Sequence, residues 1–364
     1  MRTFGLVELA RVIATLALID LVAAATNSLP SYPLAVKNPY LSAWLPSSCA
    51  STAATCSPQF WTGSNLTWTV VARVGSKGYT LLGASTAINN TVAAKQNSIT
   101  YTSSHTIINY TAGNANITLD FFSPVLPATA DFARQSLPYS YLTVSAQAIS
   151  GSPTVQILTA IDNTWTAQKG ASQISYNQTA SSIYFEFNNP NAIPYTEVND
   201  QATYGSIVFG TTSASSTSYQ CGSASAIYKR FISNGGLTGL TTSTTPPSCS
   251  NTSLVALSSK LGGQTTRAST NVTFAIGFDR VDAINYLGNA QTGYYRSQWP
   301  TIPQQVDYFL SDYSAALATS KTFDAQVRNR ALTVSSNYAD ILEASVRQTF
   351  GAIEITVSHK YHAR

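Results

Sequence analysis

The sequence predicts a mainly β protein, a large antiparallel β-sandwich followed by a short α-helical segment. Between about Ser28 and Trp299, short runs rich in Val, Ile, Thr, Tyr and Phe alternate with Gly, Asn, Pro and Ser, which is typical of strands joined by turns. After Pro300, apolar residues recur at helical spacing instead. The 364 residues are 44% hydrophobic and only 10% charged, so the chain is long enough for two domains with a sizeable core.

The β-type region contains eight clear candidate strands. They are Leu66–Val74, Ser98–Tyr110, Ile117–Phe122, Ser140–Ile149, Val155–Ile161, Ile183–Phe187, Ser206–Thr212 and Val272–Phe278. Turns are expected at Gly75–Gly78, Gly113–Asn114 and Gly151–Pro153, where glycine supplies positive φ or proline a fixed φ. Helical periodicity is nearly absent here. The length exceeds an immunoglobulin-sized unit, so we expect one sandwich of many strands.

Two amphipathic helices are predicted after Pro300. The first has Thr301 as its N-cap, Pro303 in its first turn and an apolar stripe of Val306, Phe309, Leu310, Tyr313 and Leu317. The second, Ser336–Phe350, follows a Ser cap and places these residues on one face: Tyr338, Ile341, Leu342, Ser345, Val346 and Phe350. That face needs covering partners, yet only the polar tail Ser358–Arg364 follows. We therefore expect an incomplete helical domain in a truncated chain, with a tail that departs from the parent sequence.

The N-terminal residues predict secretion. Arg2 precedes an apolar stretch, Val12–Ala25, that ends in small residues, as in a cleaved signal peptide spanning residues 1–25. The competing interpretation is a short amphipathic helix of a cytosolic protein, because Glu8, Arg11 and Asp20 are unusual in a leader. The predicted domains are then 26–299 for the sandwich and 300–364 for the helical segment, with no membrane attachment after cleavage.

Seven N-x-S/T sequons agree with a secreted glycoprotein. They lie at Asn65, Asn89, Asn109, Asn116, Asn177, Asn251 and Asn271. A chain this rich in Asn, Ser and Thr produces some sequons by chance. Only their agreement with the predicted leader therefore counts in favour of glycosylation.

Four cysteines form two local pairs. In a secreted protein we expect the disulfides Cys49–Cys56 and Cys221–Cys249, although three pairings are formally possible. Neither spacing suits a zinc site, so structural bridges are favoured. The small net charge of +4 comes from scattered basic residues, which gives no indication of a nucleic-acid partner. Nothing in the sequence requires a cofactor.

Catalytic motifs are not found in this sequence, and its sparse carboxylates form none. His105 lies in a strand-like run, where an exposed or hydrogen-bonded strand residue is favoured over a catalytic base. Asp340, Glu343 and Arg347 share one face of the last helix and are candidate pocket residues, but a solvated face with an internal ion pair is favoured. The five tryptophans could stack on sugars, whereas core packing is favoured, most clearly for Trp68.

Several strings resemble the N-terminal domain of the fungal glutaminase A family. They are YPLAVKNPYLSAWLP (Tyr32–Pro46), PQFWTG (Pro58–Gly63), LTWTVVARV (Leu66–Val74), DFFSPV (Asp120–Val125), SLPYSYL (Ser136–Leu142), AIGFDR (Ala275–Arg280) and YADILEASVRQTFGA (Tyr338–Ala352). The resemblance covers Tyr32 to about Thr356. It implies a β-sandwich joined to a six-hairpin (α/α) toroid, of which this chain would supply only the beginning.

The same resemblance implies a secreted enzyme that hydrolyses the side-chain amide of glutamine, its small-molecule substrate. No catalytic residue of the family carries over onto this sequence, and a truncated chain could be inactive. Two alternatives stay open, a carbohydrate-active or carbohydrate-binding protein and a non-catalytic structural sandwich. Composition and spacing fit all three, and the oligomeric state is not indicated.

Overall fold

The computed structural model describes residues 28–83, 86–168, 170–243 and 245–358. The predicted signal peptide and residues 359–364 of the polar tail lie outside the described residues. Within these ranges, no helix combines the length and the hydropathy needed to cross a membrane.

The chain is mainly β, as predicted, and its helices lie mostly towards the C-terminus. The strands are β1 Ser31–Asn38, β2 Leu41–Pro46, β3 Gln59–Phe60, β4 Trp68–Val74, β5 Lys77–Leu82, β6 Thr91–Ala93, β7 Lys95–Tyr101, β8 His105–Ala112, β9 Ala115–Phe122, β10 Tyr139–Ala148, β11 Thr154–Ile161, β12 Gln173–Gln178, β13 Ser182–Asn188, β14 Glu197–Val198, β15 Gln201–Ala202, β16 Ser206–Thr212, β17 Thr217–Gly222, β18 Gly239–Leu240, β19 Leu254–Gly263, β20 Thr270–Asp279, β21 Ile284–Tyr286, β22 Asn289–Gly293 and β23 Thr356–Ser358. The α-helices are α1 Phe132–Ser136, α2 Ala224–Asn234, α3 Ile302–Leu332 and α4 Ser336–Gly351.

Two large sheets form the sandwich. One is eight-stranded, in the order β12-β13-β16-β20-β10-β9-β8-β7, and the other is seven-stranded, in the order β18-β17-β19-β11-β4-β5-β6. Pairing is antiparallel in both, except that β5 and β6 run parallel. A three-stranded sheet, β1-β2-β3, adds its apolar side chains to the same core.

The core lies between the two large sheets, because alternate residues of each strand point inward. Trp68 of β4 is 1% exposed and meets Phe121 of β9 edge-on, with ring centroids 5.2 Å apart. The same indole contacts Trp165 at 5.4 Å. These contacts confirm the core-packing interpretation for Trp68.

Each large sheet has a helix on its outer face. On the seven-stranded sheet, α2 buries Ile227, Tyr228 and Phe231. On the eight-stranded sheet, α3 stacks Phe309 on Tyr141 of β10, with centroids 3.8 Å apart. Each large sheet therefore buries apolar side chains on two faces, the inner face against the core and part of the outer face beneath a helix.

Seven of the eight predicted strands are single strands in the structure. They correspond to β4, β9, β10, β11, β13, β16 and β20. Gly75 and Gly113 have positive φ in the β4–β5 and β8–β9 hairpins, as predicted. Gly151 also has positive φ, but its turn joins β10 of one sheet to β11 of the other, so it is a crossing between sheets and not a hairpin.

The eighth predicted strand, Ser98–Tyr110, is wrong as a single element. The chain folds back at Thr102–Ser104 to form the β7–β8 hairpin, with the Thr102 amide donating to the carbonyl oxygen of His105 at 2.9 Å. The hydroxyl of Thr102 accepts from the Ser104 and His105 amides and closes this turn without glycine or proline, so the turn carries no strong sequence signal. The expectation of almost no helix before Trp299 is also wrong, because α2 lies there.

The two C-terminal helices are confirmed with their caps. Thr301 and Gln304 form a capping box before α3, and Pro303 lies in its first turn. Ser335 accepts a hydrogen bond from the Tyr338 amide at 3.1 Å and caps α4. The apolar stripe of α3 is inward-facing, with Val306 and Phe309 buried.

Both expected disulfides are present. Cys49–Cys56 closes a loop after β2, and Cys221–Cys249 ties β17 to the segment before β19. Their Cα–Cα separations of 5.9 and 5.6 Å lie within the usual range for a bridge.

Candidate functional site

The turn that the sequence did not predict organises a buried polar cluster. The Oγ1 of Thr102 and the Oγ of Ser104 each donate to Oδ2 of Asp324 on α3 at 2.6 Å. Asp324 is 1% exposed, so its carboxylate is held by the sandwich and not by solvent. Charge-assisted hydrogen bonds thereby attach the middle of α3 to the β7–β8 turn.

Charged side chains of α3 and α4 extend this cluster. Nη1 of Arg328 donates to Oδ1 of Asp340 at 2.9 Å and to Oε2 of Glu343 at 2.7 Å. All three side chains are buried. Burial raises the pKa of Glu343 to about 7, because desolvation outweighs the opposing effect of the Arg328 charge. A carboxyl group that titrates near neutral pH can donate or accept a proton.

Arg347 connects α4 to the same turn. Its Nε donates to the carbonyl oxygen of Ser103 at 3.0 Å, and the side chain is 1% exposed. Burial lowers the pKa of Arg347 to about 10, although the carboxylates of Asp324 and Asp120 partly offset the effect. The guanidinium is thus a desolvated cation with acidic neighbours.

His105 and Asp120 form a pair on the outer face of the eight-stranded sheet. Nδ1 of His105 lies 2.7 Å from Oδ1 of Asp120, and the imidazole stacks on Phe122 with centroids 4.4 Å apart. The ring is 4% exposed. The expected hydrogen-bonded strand histidine is therefore found, and its carboxylate partner fixes the orientation of the ring.

Buried polar atoms without a hydrogen-bond partner concentrate in this cluster, as judged over the described residues. They are Oγ of Ser103, Nε2 of His105, Oγ1 of Thr106, Oδ1 of Asp324, Nε of Arg328, Oε1 of Glu343 and both terminal nitrogens of Arg347. Leaving a buried polar group unsatisfied costs about 1–3 kcal/mol, so such a concentration is expensive. Folds retain such groups mainly where they serve binding or catalysis, or where ordered water bridges them.

A cavity of about 370 Å³ lies against the cluster. It is bounded by the N-terminal strands, the β7–β8 turn and α4. Its lining residues are Leu29, Pro30, Ser31, Pro33, Trp44, Gln59, Phe60, Trp61, Gly63, Tyr101, Thr102, Ala344, Arg347 and Gln348. Arg347 is the one charged residue of that lining. The walls are otherwise aromatic and neutral, which suits recognition of a small organic ligand with an anionic group better than acid–base chemistry.

Comparison with known proteins decides the family. A family model described as a domain of unknown function (DUF5127) matches residues 104–330, more than half of the chain, from the β7–β8 turn through most of α3. Glutaminase A of Aspergillus oryzae is 30% identical over 342 residues, which cover 90% of this chain and 49% of that protein. The chain belongs to this glutaminase A-like family.

A second relative of the glutaminase A-like chain is named a probable glutaminase, from Arthroderma benhamiae. It is 26% identical over 366 residues, covering 91% of this chain and 42% of the relative. The chain thus spans about half the length of the curated relatives that it matches. The expected resemblance to fungal glutaminase A is confirmed.

The structure brings the predicted pocket candidates of the glutaminase A-like chain together. Asp340, Glu343 and Arg347 are 2%, 0% and 1% exposed, so the favoured interpretation of a solvated face is wrong. The reason is tertiary, because Arg328 on α3 and the carbonyl of Ser103 supply the partners that solvent would otherwise provide. Of these three residues, only Arg347 lines the cavity.

The apolar face of α4, which was expected to need covering partners, is exposed in part. Tyr338 is 45% exposed and Ile341 is 65% exposed, while Leu342, Val346 and Phe350 are half-buried. The buried face approaches β1 so closely that a Cβ on Gly351 would lie 2.3 Å from Cγ1 of Val36.

Asp324, Arg328 and the His105–Asp120 pair were not predicted from the sequence. A signal for the first two was present, because Ser320, Asp324 and Arg328 continue the helical stripe that begins with Phe309 and Tyr313. A stripe that changes from apolar to charged while keeping its period indicates a buried polar contact. The pair had no such signal, since its members lie fifteen residues apart on two strands.

The predicted sequons are all accessible to some degree. Asn65, Asn89, Asn116, Asn251 and Asn271 are exposed, and Asn109 and Asn177 are half-buried. Among the tryptophans, Trp61 is the exposed one at 54%, whereas Trp44 and Trp299 are half-buried and Trp165 is buried.

Proposed function

We propose that this chain is part of a secreted hydrolase that cleaves the side-chain amide of L-glutamine to give glutamate and ammonia. The observation that carries the proposal is the similarity to two fungal proteins named as glutaminases, aligned over 90% and 91% of this chain. Because the chain spans about half of those relatives, the activity is proposed for the whole protein.

The proposed organisation keeps the three expected segments. Residues 1–25 act as a signal peptide, 26–299 form the sandwich, and 300–364 begin a helical domain of the (α/α) toroid type. Secretion and glycosylation are supported by two disulfides and by seven sequons of which none is buried.

In this proposal, the cavity recognises the substrate through Arg347. Free glutamine carries an α-carboxylate, and Arg347, whose planar guanidinium is of the type that pairs with carboxylates, is the one charged residue of the cavity lining. Amide hydrolysis also needs a base or nucleophile, donors for the oxyanion and an acid for the departing ammonia. The residues that line the cavity include no carboxylate or imidazole, so the proposed source of these groups is the part of the relatives that this chain does not match.

The test measures both binding and turnover. Calorimetry with L-glutamine is applied to the 364-residue protein, and ammonia release is assayed beside Glutaminase A of Aspergillus oryzae. We expect the 364-residue protein to bind L-glutamine and the Arg347→Met variant to bind it at least tenfold more weakly. Ammonia release is expected from the Aspergillus oryzae protein alone. Lys321→Met is the matched control, because Lys321 is an exposed cation on α3 outside the cavity lining.

Each other outcome is informative. Turnover by the 364-residue protein would move the catalytic groups into the described cluster, with Glu343 as the first to substitute. Equal binding by the Arg347 and Lys321 variants would remove Arg347 from recognition. Neither binding nor turnover, with an active relative, would count against a glutamine site in this chain.

A carbohydrate-binding function is the second candidate, favoured by the aromatic wall of the cavity. Trp44, Phe60 and Trp61 line it, and Trp61 is largely exposed. Flat aromatic faces suit sugar rings, whereas glutamine offers no such surface. Binding of a soluble oligosaccharide that is lost in Trp61→Ser, together with no response to glutamine, would favour this function.

A further inference from the structure

The hairpin around Trp61 places a sequon beside the cavity. The amide of Phe60 donates to the carbonyl of Ser64 at 2.8 Å, and Gly63, with φ of +94°, closes the turn. Gln59 and Asn65 face each other across this hairpin as an antiparallel bridge. Cross-strand partners point to the same side of a hairpin, so the side chain of Asn65 leaves from the face that carries Gln59.

Hydrogen bonding confirms that shared face. Nε2 of Gln59 donates to Oδ1 of Asn65 at 3.2 Å. Gln59 and Phe60 of β3 line the cavity together with Trp61 and Gly63 of the turn that follows. Asn65 is exposed, and Trp61 is 54% exposed although it is a large apolar side chain. The side chain of Asn65 therefore bonds to one residue of the cavity lining, and the uncovered indole of Trp61 belongs to the same lining and to the same short hairpin.

We propose that Asn65 carries an N-linked glycan whose first sugar packs on the indole of Trp61 at the mouth of the cavity. The inference rests on the proposed secretion, because the sugar donor is a lipid-linked oligosaccharide of the secretory pathway. In the transfer, a bond forms between Nδ2 of Asn65 and C1 of the sugar, the C1–oxygen bond to the lipid diphosphate breaks, and the amide loses one proton to solvent.

The packing of the first sugar on the indole of Trp61 follows from the apolar character of both surfaces. The face of a sugar ring that carries C–H groups is weakly polar, and its burial against an exposed indole removes apolar area of both from water. Oδ1 of Asn65 already bonds to Gln59, which limits rotation of the side chain that would bear the sugar. The glycan then covers the aromatic wall, so the carbohydrate that this wall receives is the protein's own.

The experiment uses the full chain secreted from a fungal host. Glycopeptide mass spectrometry measures occupancy at each sequon, and acrylamide quenching reports the exposure of tryptophan. Two enzymatic treatments are compared, trimming each glycan to a single N-acetylglucosamine and removing it completely. The matched control sequon is Asn116, which is exposed and has Thr111 and Gln147 as its cross-strand partners, so no aromatic residue is paired with it.

The expected result distinguishes the first sugar from the rest of the glycan. Trimming leaves quenching unchanged, whereas complete removal increases it and lowers the midpoint of thermal unfolding by about 1–2 °C. Asn65→Gln reproduces complete removal, and Asn116→Gln does not change quenching. In Trp61→Ser, which alters an exposed side chain, removal of the Asn65 glycan has no further effect on either measurement.

Four results would overturn the inference. An empty Asn65 with occupied sequons elsewhere would refute it while leaving secretion intact, whereas no occupied sequon would refute the proposed secretion as well. Occupancy at Asn65 with no change in quenching on removal would refute the packing. Equal effects of Asn65→Gln and Asn116→Gln would show a general effect of glycans and remove any role for Trp61.

Discussion

Replacing Glu343 by Gln should remove a pH dependence of stability. Burial raises the pKa of Glu343 from 4.5 to about 7 in the folded protein. Between these two values the folded state keeps a proton that the unfolded state has lost, so stability falls as pH rises through this window. At 1.36 kcal/mol per pKa unit, the loss amounts to about 3 kcal/mol.

The assay is urea unfolding of the wild type and Glu343→Gln at several pH values from 4.5 to 8. The two proteins should be closest in free energy of unfolding at pH 4.5, where Glu343 is neutral in the folded state. As the pH rises to 7, the free energy of unfolding of the variant should increase relative to that of the wild type by about 3 kcal/mol. Above pH 7 this difference should not grow further. Other titrating groups are common to both proteins and cancel in the difference.

A second variant sharpens this test. Arg328 donates to Glu343 at 2.7 Å, and its charge opposes the rise of the pKa. In Arg328→Met the window over which stability falls should therefore extend above pH 7. A difference between wild type and Glu343→Gln that stays constant from pH 4.5 to 8 would refute the reasoning, because it would mean that burial does not perturb this carboxyl group.

Three other substitutions give simple outcomes. Burial lowers the pKa of Lys37 to about 7, so stability should rise with pH between about 7 and 10.5 and this rise should vanish in Lys37→Met, as measured by urea unfolding. Gly351→Ala should cost about 1–3 kcal/mol through the clash with Val36, and the added Val36→Ala should recover part of it; an unchanged thermal midpoint would contradict the close contact. Replacing Cys221 and Cys249 by serine should cost about 3–4 kcal/mol, since the bridge closes a loop of 28 residues; a loss below 1 kcal/mol would contradict this.

The strands could be predicted because their signal is local. The run Trp68–Val74 is rich in β-branched residues, and Gly75 marks the turn that follows it. The β7–β8 turn could not be predicted, because the hydroxyl of Thr102 accepts from the amides of Ser104 and His105 and leaves the β pattern of the sequence uninterrupted.

Helix α2 had a signal in Ile227, Tyr228 and Phe231, and the surrounding β-rich region obscured it.

The candidate site depended on long-range contacts, which local patterns do not contain. For α4, the sequence presents two faces that could each be buried, one apolar and one charged. The partners that decide in favour of the charged face, Arg328 on α3 and the carbonyl of Ser103, both lie outside α4.

Ionic docking of α4 also sets its rotation about its own axis. Apolar side chains tolerate small rotations, because contacts of similar area replace those that are lost. The hydrogen bonds from Arg328 to α4 and from Arg347 to the carbonyl of Ser103 are directional. Turning α4 by one residue, about 100°, would therefore leave these charged groups without their partners. The cluster therefore fixes α4 at one rotation angle about its own axis, and any segment that continues from α4 starts in a fixed direction.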